Sequence, residues 1–345
     1  MGQENACLRV LVSQSHNPWF NIASEDWIFR EMDPKVQTLY LWRNRETVVI
    51  GRNQNPWSEC NLTKMEEKGI ALSRRTSGGG AVYQDLGNTN FTFLSPREGY
   101  DRQQNSTIIL RALQRFGIEA ELSGRNDIII EGPDGPRKIS GSAFRETRDR
   151  AFHHGTLLIN ADLDCLANYL TPHPKKLQSK GRASVRARVM NLAELNSAIT
   201  HEALSEAVIE EFFASYGARV PIEILDPQGA SQESASLTET FAHFASWDWR
   251  FGHAPQFQQQ LVEYLSWGFL EIHIDCNAGI IERAQVFSDA LFPDFIDAIE
   301  VVLQGKTFSK RGIERAAEEL LVLQAQMRSE INELKQWLFA QVETT

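Results

Sequence analysis

Predicted strands follow one another along much of this chain with few helices between them, and that order restricts the fold more than any other feature. From Ile70 to about Ser95 the pattern runs strand, glycine turn, strand, tight turn and strand, and hairpin-like strands follow from Ile118 to about Asn160. A parallel sheet needs a crossover helix after nearly every strand. The sequence therefore predicts an α+β fold with an antiparallel or mixed sheet and flanking helices, and it puts the glycine-rich segment inside an antiparallel sheet.

Helices are predicted where capping residues precede an apolar periodicity. Asn17 as the N-cap and Pro18 at the first helical position begin one helix. Asn55 and Pro56 repeat this arrangement, so a second helix is expected to run from there to Gly69, which has the residue type that commonly ends helices.

The segment DPQGASQESASLTET, which starts at Asp226, has the composition of a linker. We predict a domain boundary within residues 226–252 and divide the chain into a large domain, residues 1–245, and a small α/β domain, residues 246–345. In the small domain the pattern predicts two strands around CNAG, a helix near DFIDAIEVVL and one long amphipathic helix from about Lys310.

Composition argues against several classes of partner. The 345 residues include 35 basic and 45 acidic side chains, a net charge of −10, which disfavours nonspecific nucleic-acid binding. No run approaches the roughly 18 apolar residues of a membrane helix, and the N-terminus lacks a secretory signal, so a cytoplasmic protein without a membrane partner is expected. The 4 cysteines are scattered without a CxxC pair, which disfavours a zinc knuckle or a disulfide framework.

The stretch RRTSGGGAVYQDLGN begins at Arg74 and contains three consecutive glycines. Such a backbone can adopt positive φ and lets a ligand approach the amides. The dinucleotide pattern GxGxxG fails because Tyr83 stands at the third glycine and no helix follows. The P-loop pattern fails at GKT because Glu300 stands where glycine is required. A local anion site and a simple glycine-rich turn with two surface arginines both stay open from these residues alone.

Five motifs in order carry a resemblance to a known family: RRTSGGGAVYQDLGN, SGRNDIII, RKISGSAFRE, HHGTLL and KGRASVRARVMNL. Together they resemble lipoate-protein ligase A over nearly the whole chain. The resemblance implies a catalytic domain, residues 1–245, that shares its fold with biotin protein ligases and class II aminoacyl-tRNA synthetases. Residues 246–345 would then form the small accessory domain.

The resemblance also implies a reaction. Such a ligase uses ATP and Mg²⁺ to activate lipoate as lipoyl-AMP, with release of pyrophosphate, and octanoate is a second expected substrate. It then transfers the acyl group to a lysine of lipoyl acceptor domains, which belong to 2-oxoacid dehydrogenases and to the glycine cleavage H protein. A monomer is expected.

The resemblance makes Lys138 the candidate catalytic residue. A carboxylate and a phosphate about 4 Å apart repel each other by several kcal/mol at an effective dielectric constant of about 20. A lysine ammonium can contact both anions and stabilise the charge that develops between them. Arg137 should point to the opposite face of a regular strand. The alternative is an ordinary surface lysine.

The remaining site residues are also implied by the resemblance, and Asp127 could hold ribose or a metal ion. An apolar lipoyl tail needs a hydrophobic wall, for which Trp42 is the candidate. The predicted ATP contacts are Arg75, Gly80, Ala81, Val82, Tyr83, Asn126, Asp127, Lys138, Lys180 and Arg186. The predicted acyl-substrate contacts are Trp42, Ser77, Gly78, Gly79, Gln84, Asn88, Lys138, Ser142, His154 and Gly155.

The loop from Lys175 to Arg188 contains basic residues and no acidic one, so it is expected to face an anionic intermediate or an acidic acceptor. Its basic residues are Lys175, Lys176, Lys180, Arg182, Arg186 and Arg188.

Gln84 departs from the family, which usually has histidine at this position. An amide hydrogen-bonds but does not titrate near neutral pH, so we hypothesise that activity is retained with a shifted acyl preference or rate.

Three alternatives stay open: a cysteine-dependent octanoyltransferase, a biotin ligase and a noncatalytic acyl-binding module. The first requires a cysteine at the pocket, and no cysteine lies within the motifs. The second would show a GRGR-type loop, which is absent.

Overall fold

The structure, a computed structural model, describes residues 7–124, 126–132, 135–170, 189–227, 234–251, 259–277 and 279–343. The strands up to residue 225 are β1 (Cys7–Ser13), β2 (Val36–Trp42), β3 (Thr47–Ile50), β4 (Ala71–Arg74), β5 (Val82–Gln84), β6 (Asn88–Pro96), β7 (Glu121–Ser123), β8 (Asp127–Gly132), β9 (Gly135–Glu146), β10 (Arg150–Leu158) and β11 (Ile222–Leu225). The helices up to residue 251 are α1 (Pro18–Glu31), α2 (Pro56–Glu59), α3 (Leu62–Lys68), α4 (Arg102–Gln114), α5 (Leu163–Tyr169), α6 (His201–Tyr216), α7 (Ala235–Ala245) and α8 (Trp247–Phe251).

A large mixed sheet forms the centre of the fold, with the strand order β11-β1-β2-β6-β10-β9-β8-β7. The first three strands are parallel, and every pairing from β2 to β7 is antiparallel. Apolar residues of α4 and α6 pack on one face of this sheet, and those of α1 and α7 pack on the other. The predicted α+β class with a mixed sheet and flanking helices is confirmed.

Helix α1 begins as predicted. The Asn17 side chain accepts hydrogen bonds from the amides of Trp19 and Phe20, and Pro18 occupies the first turn. The second predicted helix is wrong as a single element, because α2 ends at Glu59 and α3 begins after Asn61, whose side chain caps the new helix.

The prediction that the glycine-rich segment lies inside one antiparallel sheet is also wrong. Strands β4 and β5 flank β3 in a separate small sheet, where β3 is parallel to β4 and antiparallel to β5. Strand β6 belongs to the large sheet instead. The glycines therefore connect the two edges of the small sheet. A local pattern could not show this, because β3 comes from a distant part of the sequence.

The C-terminal part has its own sheet and apolar core. Its elements are β12 (Gln259–Leu265), β13 (Gly268–Asn277), β14 (Ile280–Ser288), α9 (Pro293–Leu303), α10 (Lys310–Leu323) and α11 (Arg328–Glu343). The two strands around CNAG and the helix near residue 293 are confirmed, whereas β12 was not predicted. The single long helix from Lys310 is wrong, because the chain turns between α10 and α11 and the two helices pack together.

The linker prediction is wrong from Ala235 on: α7 begins inside the segment DPQGASQESASLTET, α8 lies within the predicted boundary region, and both pack against the large part of the chain. Phe244 and Trp249 lie in the core around α1, and the Arg74 guanidinium donates to the carbonyls of Trp249 and Arg250 at 2.9 Å each. The boundary between residues 245 and 246, which falls between these two helices, stays a prediction.

Polar contacts hold the C-terminal sheet domain against the loop after β3. The Arg52 guanidinium lies 2.5 Å from Asp297 Oδ2, and the Asn53 carbonyl accepts a hydrogen bond from the Ser288 amide at 2.6 Å.

Within the described ranges, no helix has both the length and the apolar composition required to cross a membrane.

Candidate active site

A cavity of about 480 Å³ opens between the large sheet and the small sheet, a volume in the usual range for small-molecule sites. Among the strands, β9 and β10 contribute the most residues to its lining. The predicted site residues that line it are Trp42, Arg75, Gly79, Gly80, Ala81, Val82, Tyr83, Gln84, Asn88, Asn126, Asp127, Lys138, Ser142, His154 and Gly155. Ser77 and Gly78 are absent from the described lining, and Lys180 and Arg186 lie outside the described residues.

Lys138 lies on β9 and faces the cavity. The pairing of β8 with β9 is irregular between Ile128 and Ile129, and this shift sets Lys138 opposite Ile129. Its ammonium Nζ is 2.7 Å from Asp127 Oδ1, and each of the two side chains is 35% exposed. The ammonium is therefore held by one carboxylate while it stays within reach of a ligand.

Asn126 and Ser142 fix the turn that carries Asp127. The Asn126 side-chain amide donates to the Ser142 carbonyl at 2.8 Å, and the Ser142 amide donates to the Asn126 carbonyl at 2.7 Å. These bonds hold the start of β8 against β9, so the Asp127 carboxylate reaches Lys138 from a rigid position.

The three consecutive glycines lack a Cβ for three different reasons. A Cβ on Gly78 would lie 2.1 Å from the carbonyl oxygen of Ala290, which belongs to the C-terminal domain. Gly79 has φ = +90°, a conformation that other residues rarely adopt, and its amide donates to that same Ala290 carbonyl at 3.1 Å. Gly80 has no neighbour within 4 Å of an added Cβ and lines the cavity. Gly79 and Gly80 both line the cavity, and Gly80 is the one of the three with open space where a side chain would begin.

The Arg75 guanidinium supports the glycine loop from behind. It donates to the carbonyls of Gly78 at 2.7 Å, Gly80 at 2.8 Å and Val49 at 3.1 Å. Because the carbonyl and the amide of a trans peptide point in opposite directions, the amide that follows the Gly80 carbonyl, that of Ala81, points away from Arg75. Burial lowers the pKa of Arg75 to about 10, and the nearby charge of Glu25 opposes that shift. The group stays protonated at neutral pH, and its direct contact with ATP stays a prediction.

An apolar wall closes another part of the cavity. Trp42 is 4% exposed and stacks on Tyr40, with Ile22, Val49 and Leu158 nearby in the lining. An elongated apolar chain could lie along this wall while its carboxylate reaches Lys138.

A buried carboxylate, Glu25, lines the cavity and was not predicted. His154 Nδ1 lies 2.8 Å from Glu25 Oε1, and His154 Nε2 lies 2.9 Å from Ser77 Oγ. Helix α1 also buries Ser24 and Asp26 beside Glu25, so it shows no polar stripe that would single out one acid. Asp289, from the C-terminal domain, also lines the cavity without having been predicted.

Gln84 belongs to a chain of buried amides. Its Oε1 accepts from Asn44 Nδ2 at 2.8 Å, and its Nε2 donates to Asn90 Oδ1 at 2.8 Å. Asn88 donates to the same Asn90 oxygen at 3.1 Å. Asn90 Nδ2 also donates to Gln84 Oε1 at 3.4 Å, so both ends of the Gln84 amide are fixed in the cavity wall by the two asparagines.

We expect Gln84→His to fold normally, because a neutral imidazole offers one donor and one acceptor to the same two asparagines. Its rigid ring changes the cavity wall, so the rate or the preference between the expected acyl substrates should change, as measured by kcat/KM for each acid. Gln84→Leu is the contrasting variant: it leaves Asn44 and Asn90 without these bonds and should lower the free energy of unfolding by about 1–3 kcal/mol. Unchanged rate and preference in Gln84→His would contradict the hypothesis.

Metal ligands are sparse in this site. Across the described ranges, no group of three or more His, Cys, Asp or Glu side chains is arranged to hold an ion. Mg²⁺ commonly uses only one or two carboxylates together with phosphates and water, so Asp127 fits this role only in company with a bound nucleotide.

Comparison with known proteins identifies the class. Residues 17–213 match the family described as the Lipoyl protein ligase A/B catalytic domain, and residues 254–338 match the family described as the Bacterial lipoate protein ligase C-terminus. The first match alone covers more than half of the chain, so the protein belongs to the lipoyl protein ligase A/B family and is a lipoate-protein ligase.

Similar solved structures share this fold over long stretches. P. falciparum LipL1, solved in complex with lipoate, is 33% identical with a TM-score of 0.85, over 96% of this chain and 99% of that one. The bipartite lipoate protein ligase of Thermoplasma acidophilum, studied with its E2 lipoyl domain, is 25% identical with a TM-score of 0.62, over 73% and 99%. A lipoate-protein ligase A bound with ATP is 24% identical with a TM-score of 0.60, over 71% and 99%.

Proposed function

We propose that this enzyme activates lipoate with ATP, releases pyrophosphate to form lipoyl-AMP, and transfers the lipoyl group to a lysine of an acceptor domain. One observation carries the proposal. The Lys138 ammonium, 2.7 Å from Asp127, lines a cavity that also has an apolar wall at Trp42 and an open backbone at Gly80.

Lys138 acts electrostatically in this scheme. The carboxylate oxygen of lipoate attacks the α-phosphorus of ATP, the bond to pyrophosphate breaks, and an acyl-phosphate bond forms. The ammonium lowers the repulsion between the two anions and stabilises the charge on the phosphate oxygens. Asp127 orients the ammonium before the ligands arrive.

The glycine loop binds the nucleotide phosphates in this proposal. The Ala81 amide points away from Arg75, and Gly80 leaves room for a close approach. The ATP-bound lipoate-protein ligase A supports the use of this nucleotide. Mg²⁺ would be held by Asp127 together with phosphate oxygens, and it would neutralise phosphate charge when bound.

Lipoyl domains are the proposed acceptors, in line with the Thermoplasma acidophilum ligase that was studied with its E2 lipoyl domain. The acceptors would be the lipoyl domains of 2-oxoacid dehydrogenases and the glycine cleavage H protein, and octanoate would be a second acyl substrate. In the transfer step the lysine amine attacks the acyl carbon, AMP leaves, and an amide forms.

A cysteine-dependent transfer is disfavoured, because the described residues that line the cavity include no cysteine. Cys165 is the cysteine that lies nearest to the motifs in the sequence. Its thiol donates a hydrogen bond to Asp162, and burial raises the pKa of that thiol, which opposes thiolate formation.

The experiment that tests the proposal is ATP–pyrophosphate exchange. We expect exchange that depends on lipoate, followed by lipoylation of an added lipoyl domain. Exchange that depends on biotin, or acyl transfer without ATP through a thioester sensitive to hydroxylamine, would overturn the proposal.

A further inference from the structure

A continuous string of hydrogen bonds joins the apolar wall of the cavity to the glycine loop. At the wall, Trp42 Nε1 donates to Thr92 Oγ1 at 3.2 Å, and Thr92 Oγ1 donates to Glu25 Oε1 at 2.6 Å. His154 then lies between Glu25 and Ser77, with nitrogen to oxygen distances of 2.8 Å and 2.9 Å. Glu25 is the member that both halves of the string share.

The string continues into the loop itself. Arg75 Nε donates to Ser77 Oγ at 3.1 Å, and the same guanidinium holds the carbonyls of Gly78 and Gly80. A carboxylate only accepts, so His154 Nδ1 carries the proton that it shares with Glu25. Every link thus has a defined donor or a rotatable hydroxyl, and the chain of contacts is complete.

Ser77, His154 and Glu25 also have the distances of a nucleophile, base and acid. A nucleophile must reach its substrate, however, and Ser77 is 0% exposed and absent from the described lining of the cavity. Its hydroxyl is further engaged by Arg75. The arrangement therefore serves to hold groups in place and does not present a reactive oxygen.

We propose that Glu25 is a positioning residue that couples the acyl and nucleotide parts of the site, so that lipoate and ATP bind with positive cooperativity. Glu25 is 2% exposed, and its carboxylate holds Thr92, which fixes Trp42, and His154, which holds Ser77 at the start of the loop. A lipoyl tail that packs on Trp42 stabilises this string of contacts as a whole and with it the loop that faces the phosphates, so the second ligand binds to a site that the first has already stabilised. The inference rests on the proposed function for the identity of the two ligands.

The test is calorimetric binding of lipoate to the full chain, with and without an ATP analogue whose link between the α- and β-phosphates cannot be broken, so that lipoyl-AMP does not form. In the unmodified protein we expect the analogue to lower the Kd of lipoate about tenfold, within the usual range of coupling between sites. Glu25→Gln keeps the side-chain shape but removes the charge that holds both partners, and it should reduce this factor to less than about twofold. Thr92→Val breaks the link to Trp42 and should reduce the factor in the same way.

Asp26→Asn is the matched control. Asp26 is a neighbouring buried acid on α1, but it pairs with Arg30 and Arg145 outside the string. In this variant we expect the analogue to lower the Kd of lipoate as much as in the unmodified protein, even where the free energy of unfolding falls. A general loss of helix packing would instead reduce coupling in all three variants.

Two results would overturn the inference: an unmodified protein in which the analogue does not change the Kd of lipoate, or full coupling in both Glu25→Gln and Thr92→Val. An acyl-Ser77 adduct, detected by mass spectrometry after incubation with lipoate and ATP, would assign the string to covalent catalysis instead. Failure of the proposed function is separate, since it would appear as an absence of lipoate-dependent exchange in the unmodified protein.

Discussion

Replacing Lys138 with alanine is expected to abolish lipoate-dependent ATP–pyrophosphate exchange. The ammonium is the group that offsets the repulsion between carboxylate and phosphate, so its removal should cost about 3 kcal/mol or more of transition-state stabilisation, a rate loss of about 100-fold or greater. Exchange of labelled pyrophosphate into ATP at saturating lipoate is the measurement. Near-normal exchange would contradict the role given to Lys138.

The folded state should survive this substitution. Lys138 and Asp127 are both 35% exposed, and ion pairs of this kind contribute only about 0–1 kcal/mol to stability. Arg137→Ala is the matched control, because Arg137 is the adjacent basic residue and its side chain lies beside Gly132, the last residue of β8. That variant should retain exchange, which would show that the position of the charge and not the number of charges matters.

Gly78→Ala is expected to disturb the contact between the glycine loop and the C-terminal domain. The new Cβ would lie 2.1 Å from the Ala290 carbonyl oxygen and 2.9 Å from Leu291 Cα, and both are backbone atoms that must shift. Overpacking of this kind should lower the free energy of unfolding by about 1–3 kcal/mol. Urea unfolding measures the loss, and hydrogen exchange at the Gly79 amide measures whether its bond to Ala290 is kept.

Gly80→Ala, two positions away, should behave in the opposite way. Its Cβ has no neighbour within 4 Å, so stability should change by less than about 0.5 kcal/mol, whereas the methyl group enters the cavity and should weaken nucleotide binding. If Gly78→Ala proves as stable as the unmodified protein, the close packing of Ala290 on this loop does not hold in solution.

The sequence was most informative where a local pattern and a structural role coincide. Asn17 and Pro18 mark the start of α1 because capping is an interaction between near neighbours. The motif residues Lys138 and Asp127 also meet in the cavity, since the two strands are antiparallel neighbours and Lys138 lies opposite Ile129, two residues from Asp127.

What the sequence could not predict depends on partners far apart in the chain. The glycine segment looked like part of one antiparallel sheet, but β3 inserts between β4 and β5. The contact of the Gly78 backbone with Ala290, which is far away in the sequence, could not be predicted, and the role of Gly78 toward a ligand stays a prediction. Glu25 was missed because α1 is buried on several sides, so an acid that lines the cavity has the same sequence context as one that pairs with a surface arginine.

The inward-facing guanidinium of Arg75 has a consequence for how the site responds to ionic strength. Dissolved ions screen charges that water reaches, with a Debye length of about 8 Å at physiological salt, but they screen a buried charge far less. Arg75 is buried, and in the proposed scheme it supports a loop whose oriented peptide dipoles face the nucleotide, whereas Lys138 stands at the solvent boundary. Added salt should therefore weaken the lysine's hold on an anion while the dipoles of the loop keep nearly their full strength.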